Sequence, residues 1–186
     1  HAIETYVTTR RNAVSLLFSR EAWRLLEENF CQVLEEPKDL EARSGMQLGS
    51  CFAGLAIENS MLGATHALAN PLTAEYGIVH GQAISMMLPH VIRFNGVDYA
   101  HWYRELLEAI AGSNGAPPPS SGAEGLADLV SKLAARAELP MQLSQCDVER
   151  SRLRHLAESA AQQWTATFNP RKVTTDDLLE LYKAAF

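Results

Sequence analysis

A chain of 186 residues, 47% hydrophobic and 20% charged, is long enough for one sizeable core and too apolar for disorder. A net charge of −6 offers no basic surface to a phosphate backbone, which argues against a nucleic-acid partner. Three scattered cysteines, Cys31, Cys51 and Cys146, without a C-x-x-C pair, exclude a disulfide framework and cysteine-bound zinc and suit a reducing, cytoplasmic setting.

The opening "HAIETYVTTR" reads as the middle of an amphipathic helix, as though cut from something longer. Apolar spacings of three and four then recur along the chain, with no strand-like alternation. Residues 13–34 set Val14, Leu17, Leu25, Leu26, Phe30 and Val33 on one stripe, with Ser19 a candidate break and Pro37 a stop. Residues 39 to about 69 carry Gly45, Gly49, Gly54 and Gly63. Each costs an isolated helix about 1 kcal/mol, so they predict close backbone approach or breaks. The longest apolar stretch, 46–57, falls short of a membrane span and runs directly into Glu58.

Asn70-Pro71 predicts an extended residue and a turn. The next helix covers 80–94, with Ile84, Met87, Leu88, Val91 and Ile92 inward and Asn95-Gly96 as its stop; another covers 98–111. The segment "NGAPPPSSGAEG" (114–125) reads as a linker too short to divide domains. Leu126, Leu129, Val130, Leu133, Ala134 and Ala137 form the cleanest amphipathic face. A further helix is expected over 147–168, and Thr174 with Asp177 makes a capping box for the last one. The pattern predicts an all-α fold in a single domain, 1–186.

In "GATHALANPLTAEYGIVHG", His66 and His80 stand on either side of the expected turn. A histidine among apolar residues is ordinarily a satisfied core or surface group. Here Gly63 precedes the first, Gly81 follows the second, and Ala64, Thr65, Ala67 and Gly77 leave room around both. The connecting turn would let the two rings converge. Two histidines alone do not make a catalytic metal site, which needs at least three protein ligands and an open position.

"GATHALANPLTAEYGIVHGQAISMMLPHVIRFNG" resembles the signature of the iron-containing (group III) alcohol dehydrogenases: G-x-x-H-A-x-A-H-x-x-G, then P-H-G, then L-P-H-V-x-x-F-N. "HAIETYVT" is similar to the tail of that family's D-x-x-x-H-A-I-E segment, and "FNPRKVTTDDLLELYKAAF" to its closing helix. The resemblance runs from the first residue to the last. It implies the helical domain of the dehydroquinate synthase-like type, normally preceded by an α/β domain that binds NAD or NADP. It places His1, His66 and His80 on the three histidine ligand positions for a divalent metal, Fe2+ by family habit and Zn2+ as an alternative. The fourth ligand would be an aspartate four residues before His1, which shares a helix face with it. The implied activity is hydride transfer between a small alcohol, or its aldehyde or ketone, and the nicotinamide. Ile57 is implied to line the substrate cleft, with core packing an equal alternative, and a homo-oligomer is expected. Hydroxyacid–oxoacid transhydrogenase, specialised keto-acid reductase and a non-catalytic helical module are the rivals.

Three departures bear on the pocket. Asn70 stands where the family usually has a second histidine; it can hydrogen-bond substrate or cofactor but cannot relay a proton. Val79 and Thr73 replace a proline and a glycine, and neither removes a ligand. Of the other histidines, His90 suits a structural hydrogen bond, whereas His101 and His155 lie among charged residues and are expected in solvent. Cys51 and Cys146 have no basic neighbour and read as packing, and Asp176 and Asp177 as cap and helix-dipole residues.

Overall fold

The computed structural model describes residues 1–112 and 117–186, and every regular element among them is helical. The α-helices are α1 (Ala2–Val7), α2 (Ala13–Glu35), α3 (Leu40–Glu58), α4 (Ala64–Tyr76), α5 (His80–Ala109), α6 (Gly122–Arg136), α7 (Leu153–Ala161) and α8 (Thr175–Ala184). No helix among the described residues is long and apolar enough to cross a membrane.

Two apolar clusters lie along the 30-residue α5. One joins its first half to α4, α7 and α8 through Leu68, Leu72, Met86, Met87, Leu156, Leu178 and Tyr182. The other joins Ile92 and its second half to α1, α2 and α6 through Ile3, Tyr6, Trp23, Tyr103, Leu106 and Leu126. The indole N–H of Trp23 donates to the Leu106 carbonyl at 3.1 Å, so the ring is buried without an unpaired donor.

Several sequence boundaries move, each for a packing reason. Ser19 does not break α2. It is buried, and its hydroxyl lies 2.7 Å from that of Thr5, where α1 packs across. The buried face of α2 is Ser15, Ser19, Ala22, Trp23 and Glu27, whereas Val14 and Leu17 of the expected stripe are exposed. Small residues there let α1 lie close. Gly45 and Gly49 allow the same between α3 and α2, since a Cβ would fall 2.4 Å from Asn29 and 2.9 Å from Leu26. Gly63 is instead at a break, the N-cap of α4.

Asn70-Pro71 is not a turn. Pro71 sits inside α4, where its missing N–H leaves the Ala67 carbonyl without its usual helical partner. Complete burial of Leu68 and Leu72 on either side holds the helix together. The turn comes later, at Gly77, whose φ of +64° caps α4 in the left-handed region open to glycine. Asn95-Gly96 does not stop the next helix either. The break between the two expected helices comes instead at Tyr99, whose non-helical backbone kinks α5 into two stretches, and Gly96 is where α6 crosses. A Cβ on Gly96 would lie 2.3 Å from that of Ala123.

Part of the expected linker, 114–116, lies outside the described residues; 119–121 form a 3₁₀ turn, and Gly122 already begins α6. The helix expected over 147–168 shrinks to α7, followed by a 3₁₀ segment at Trp164–Phe168. Asp147 has a positive φ of 58°, which no helix start accommodates. The capping box of α8 is as the sequence predicts: the Thr174 hydroxyl accepts from the Asp177 amide at 3.1 Å, and the Asp177 carboxylate from the Thr174 amide at 2.8 Å.

Candidate metal centre

His66 occupies the first turn of α4, His80 opens α5, and His1 is the N-cap of α1. The turn at 77–79 folds α5 back beside α4, and the Glu4 side chain of α1 reaches the start of α4. The three rings gather as a result. The centroid of His66 is 4.9 Å from that of His1, nearly parallel at 17°, and 5.3 Å from that of His80, tilted at 52°. His66 is buried at 4% exposure, while His1 and His80 are exposed, so the cluster has a buried floor and an open side.

The floor is held from behind. Nδ1 of His66 pairs with the Glu4 carboxylate, whose other oxygen accepts the Thr65 amide N–H at 2.7 Å. Glu4 is fully enclosed, and burial alone would raise its carboxyl. The hydrogen bond and charge of His66, helped by the Thr65 amide, outweigh that and hold it below the usual carboxylate range. An ionised carboxylate only accepts, which makes Nδ1 of His66 the donor of this pair. That Nε2 is buried and has no hydrogen-bond partner. The His80 imidazole is pushed below its ordinary value, first by lost hydration and then by the neighbouring His66, which favours the neutral ring a metal requires.

A second group steadies the start of α4. The Asn169 side-chain oxygen accepts from the Ala64 amide at 3.3 Å and from Asn95 at 3.1 Å, and its nitrogen donates to Asn95 at 2.7 Å and to the Arg171 carbonyl at 2.6 Å. Asn95 also donates to the Tyr103 hydroxyl at 3.1 Å. Gly63 fits between these supports, where a Cβ would sit 3.1 Å from both Glu4 Oε1 and Asn169 Oδ1.

Beside His80 lies a cleft of about 480 Å³ lined by Asn70, Thr73, Glu75, Ser159 and Gln163. Asn70 donates to Gln163 Oε1 at 2.9 Å. Ile57 is half-buried on the last turn of α3, outside both apolar clusters. His90 lies apart from the three rings, in a groove with Arg93, Asp177 and Glu180. His101 and His155 are exposed as expected, the latter 3.0 Å from Glu75. Cys146 packs partly buried against the α7–α8 cluster, but Cys51 is exposed rather than packed, on the outer face of α3.

The arrangement fits a divalent cation in kind: imidazole donors, one of them with a buried Nε2 that has no hydrogen-bond partner, backed by a carboxylate. Among the described residues, no group of three or more His, Cys, Asp and Glu side chains is placed so that it could hold a metal ion as it stands.

The family model for the C-terminal part of the Fe-containing alcohol dehydrogenases matches residues 1–186. The chain belongs to that family. It is 30% identical over 186 residues to a 1,3-propanediol dehydrogenase of Citrobacter freundii, covering all of this chain and 48% of that protein. It is 28% identical over 195 residues to a lactaldehyde reductase of Escherichia coli, again with full coverage here and 48% there. The fold superposes on a crystal structure of 1,3-propanediol oxidoreductase with a TM-score of 0.93 at 28% identity, over all of this chain and 49% of that one. The chain thus spans about half the length of the curated relatives it matches, and the family's all-helical domain accounts for the whole of it.

Glu4, Asn169 and Gln163 were not legible as site residues from spacing alone. For Glu4 a signal existed: it is the one charge in the otherwise apolar "AIETYV" of α1. Asn169 and Gln163 reach the site only through the tertiary path of the chain after α7.

Proposed function

We propose that this chain is the metal-holding part of an oxidoreductase that passes hydride between an alcohol, or the corresponding aldehyde or ketone, and NAD or NADP. The observation that carries the reading is the buried, unpartnered Nε2 of His66, bracketed by the His1 and His80 rings. His1, His66 and His80 would hold the divalent cation, iron(II) in preference to zinc, with an aspartate four residues before His1 as fourth ligand. When bound, the cation supplies Lewis-acid polarisation of the substrate oxygen.

The chain's own side chains supply orientation. Glu4 keeps the proton of His66 on Nδ1, away from the open side. Lost hydration, then the neighbouring His66, push the His80 imidazole below its ordinary value, which favours its neutral form. The Asn70–Gln163 pair lines the cleft beside His80 with amide donors and acceptors, which can align substrate or the nicotinamide amide but cannot shuttle a proton. Ile57 would lie on the substrate side. An α/β domain preceding this one would carry the nucleotide, whose nicotinamide accepts or delivers the hydride.

Metal analysis and alcohol oxidation by the full-length protein test the reading. His66→Ala and His80→Ala should each lose bound metal and turnover; either variant keeping both would refute it. Asn70, where the family usually has a second histidine, keeps hydroxyacid–oxoacid transhydrogenase open as the second reading. Exchange between a hydroxy acid and an oxo acid without free nicotinamide would select that reading over the first.

A further inference from the structure

We propose that Glu4 is a positioning residue for the metal centre: it locks His66 in the Nδ1–H tautomer and fixes the ring against α4, so that Nε2 is the atom presented to a cation. The inference rests on the reading of His66 as a ligand. Its basis is the pairing of two donors on one carboxylate. Oε2 meets Nδ1 of His66 and Oε1 takes the Thr65 amide of the same turn at 2.7 Å, so ring and backbone are held by one rigid plane. Glu4 lies three residues after His1 on α1, and so also fixes the distance between the element carrying His1 and the one carrying His66.

A carboxylate offers an acceptor oxygen to each of these two partners at once. A glutamine in the same place has one acceptor oxygen and an NH2 group, so either Thr65 N–H or His66 Nδ1–H would face a donor. If the ring turns or changes tautomer to escape that clash, Nε2 acquires the proton and is lost as a ligand. The structure leaves no room for a different compromise. Gly63 already places its backbone where a Cβ would be 3.1 Å from Oε1, and Glu4 is enclosed at 4% exposure.

The test uses full-length protein stripped of metal and titrated with Co2+, followed by visible d–d absorption, with folding checked by circular dichroism. Glu4→Gln should weaken Co2+ binding by about 10- to 100-fold, the range usual for groups that orient a metal-bound histidine. In a His66→Ala background, where the residual weak binding is driven by excess Co2+, the same substitution should change affinity by less than about twofold, because its effect runs through His66. Equal loss in both backgrounds would mean a general structural role and would overturn the proposal, as would Glu4→Gln binding like wild type. Should Glu4→Gln fail to fold, 15N spectra of histidine-labelled wild type decide: a proton on Nδ1 of His66 upholds the proposal, a proton on Nε2 ends it. The two readings fail separately. Unchanged Co2+ affinity in His66→Ala removes the metal site itself, whereas loss there without loss in Glu4→Gln removes only the role of Glu4.

Discussion

Replacing Gly96 by alanine makes a demanding test of the α5–α6 packing. Helix propensity alone favours the change by about 1 kcal/mol, since Gly96 lies in a continuing helix and has no positive φ. Packing opposes it. The new methyl would stand 2.3 Å from the Cβ of Ala123, against an ordinary carbon contact of about 3.5–4.0 Å, so the helices would have to part locally by more than about 1 Å. Overpacking of that kind costs about 1–3 kcal/mol, and at so short a distance the upper half of the range applies. The expected net loss is about 1–2 kcal/mol. Ala123→Gly should lose about 1 kcal/mol by propensity. The double variant carries one methyl between the helices, as wild type does, and should come within about 1 kcal/mol of it. Urea unfolding followed by tryptophan fluorescence measures all four proteins, with Trp23 and Trp102 reporting from the cluster on this half of α5. A stabilised Gly96→Ala protein, or a double variant no better than the single, would refute the close approach as the reason for the glycine.

Gly63→Ala should push Glu4 and Asn169 off their partners, because its Cβ falls 3.1 Å from an oxygen of each; Zn2+ affinity by competition with a chelating dye should drop several-fold, and an unchanged value would count against the clamp. Thr174→Ala should cost about 1 kcal/mol by removing the cap of α8, read from thermal melts. The Thr174 hydroxyl, then its amide, hold the Asp177 carboxyl below its ordinary 3.8. A group depressed in the folded state stabilises above its unfolded value and loses that contribution as pH falls through the folded one. Asp177→Asn should therefore melt below wild type near neutral pH, with the gap closing as pH falls below 3.8 and through the lower folded value; a gap that persisted in acid would point to a cause other than the charge.

Local rules carried the reading furthest where one residue type does one job. The amphipathic face of α6 and the Thr174–Asp177 box follow from spacing and side-chain chemistry within four residues. They failed at Pro71, at Asn95-Gly96 and at Ser19, where burial of neighbours outweighs a local preference to turn or break. His66 and His80 could be paired from sequence because they flank one short connection; the turn is at Gly77 rather than at Pro71, yet the rings meet either way. His1 was reached by resemblance, since nothing in the spacing of residues 1–66 fixes how α1 crosses α4. The charge of Glu4 was visible, but its two hydrogen bonds depend on that crossing and so were not.

The amide pair of Asn95 and Asn169 ties residues far along the chain to the first turn of α4. A cut anywhere between α7 and Asn169 would therefore unseat a histidine some hundred positions upstream while leaving all three imidazoles in the polypeptide. Shortening the protein from its far end would loosen the histidine cluster without removing any of its rings.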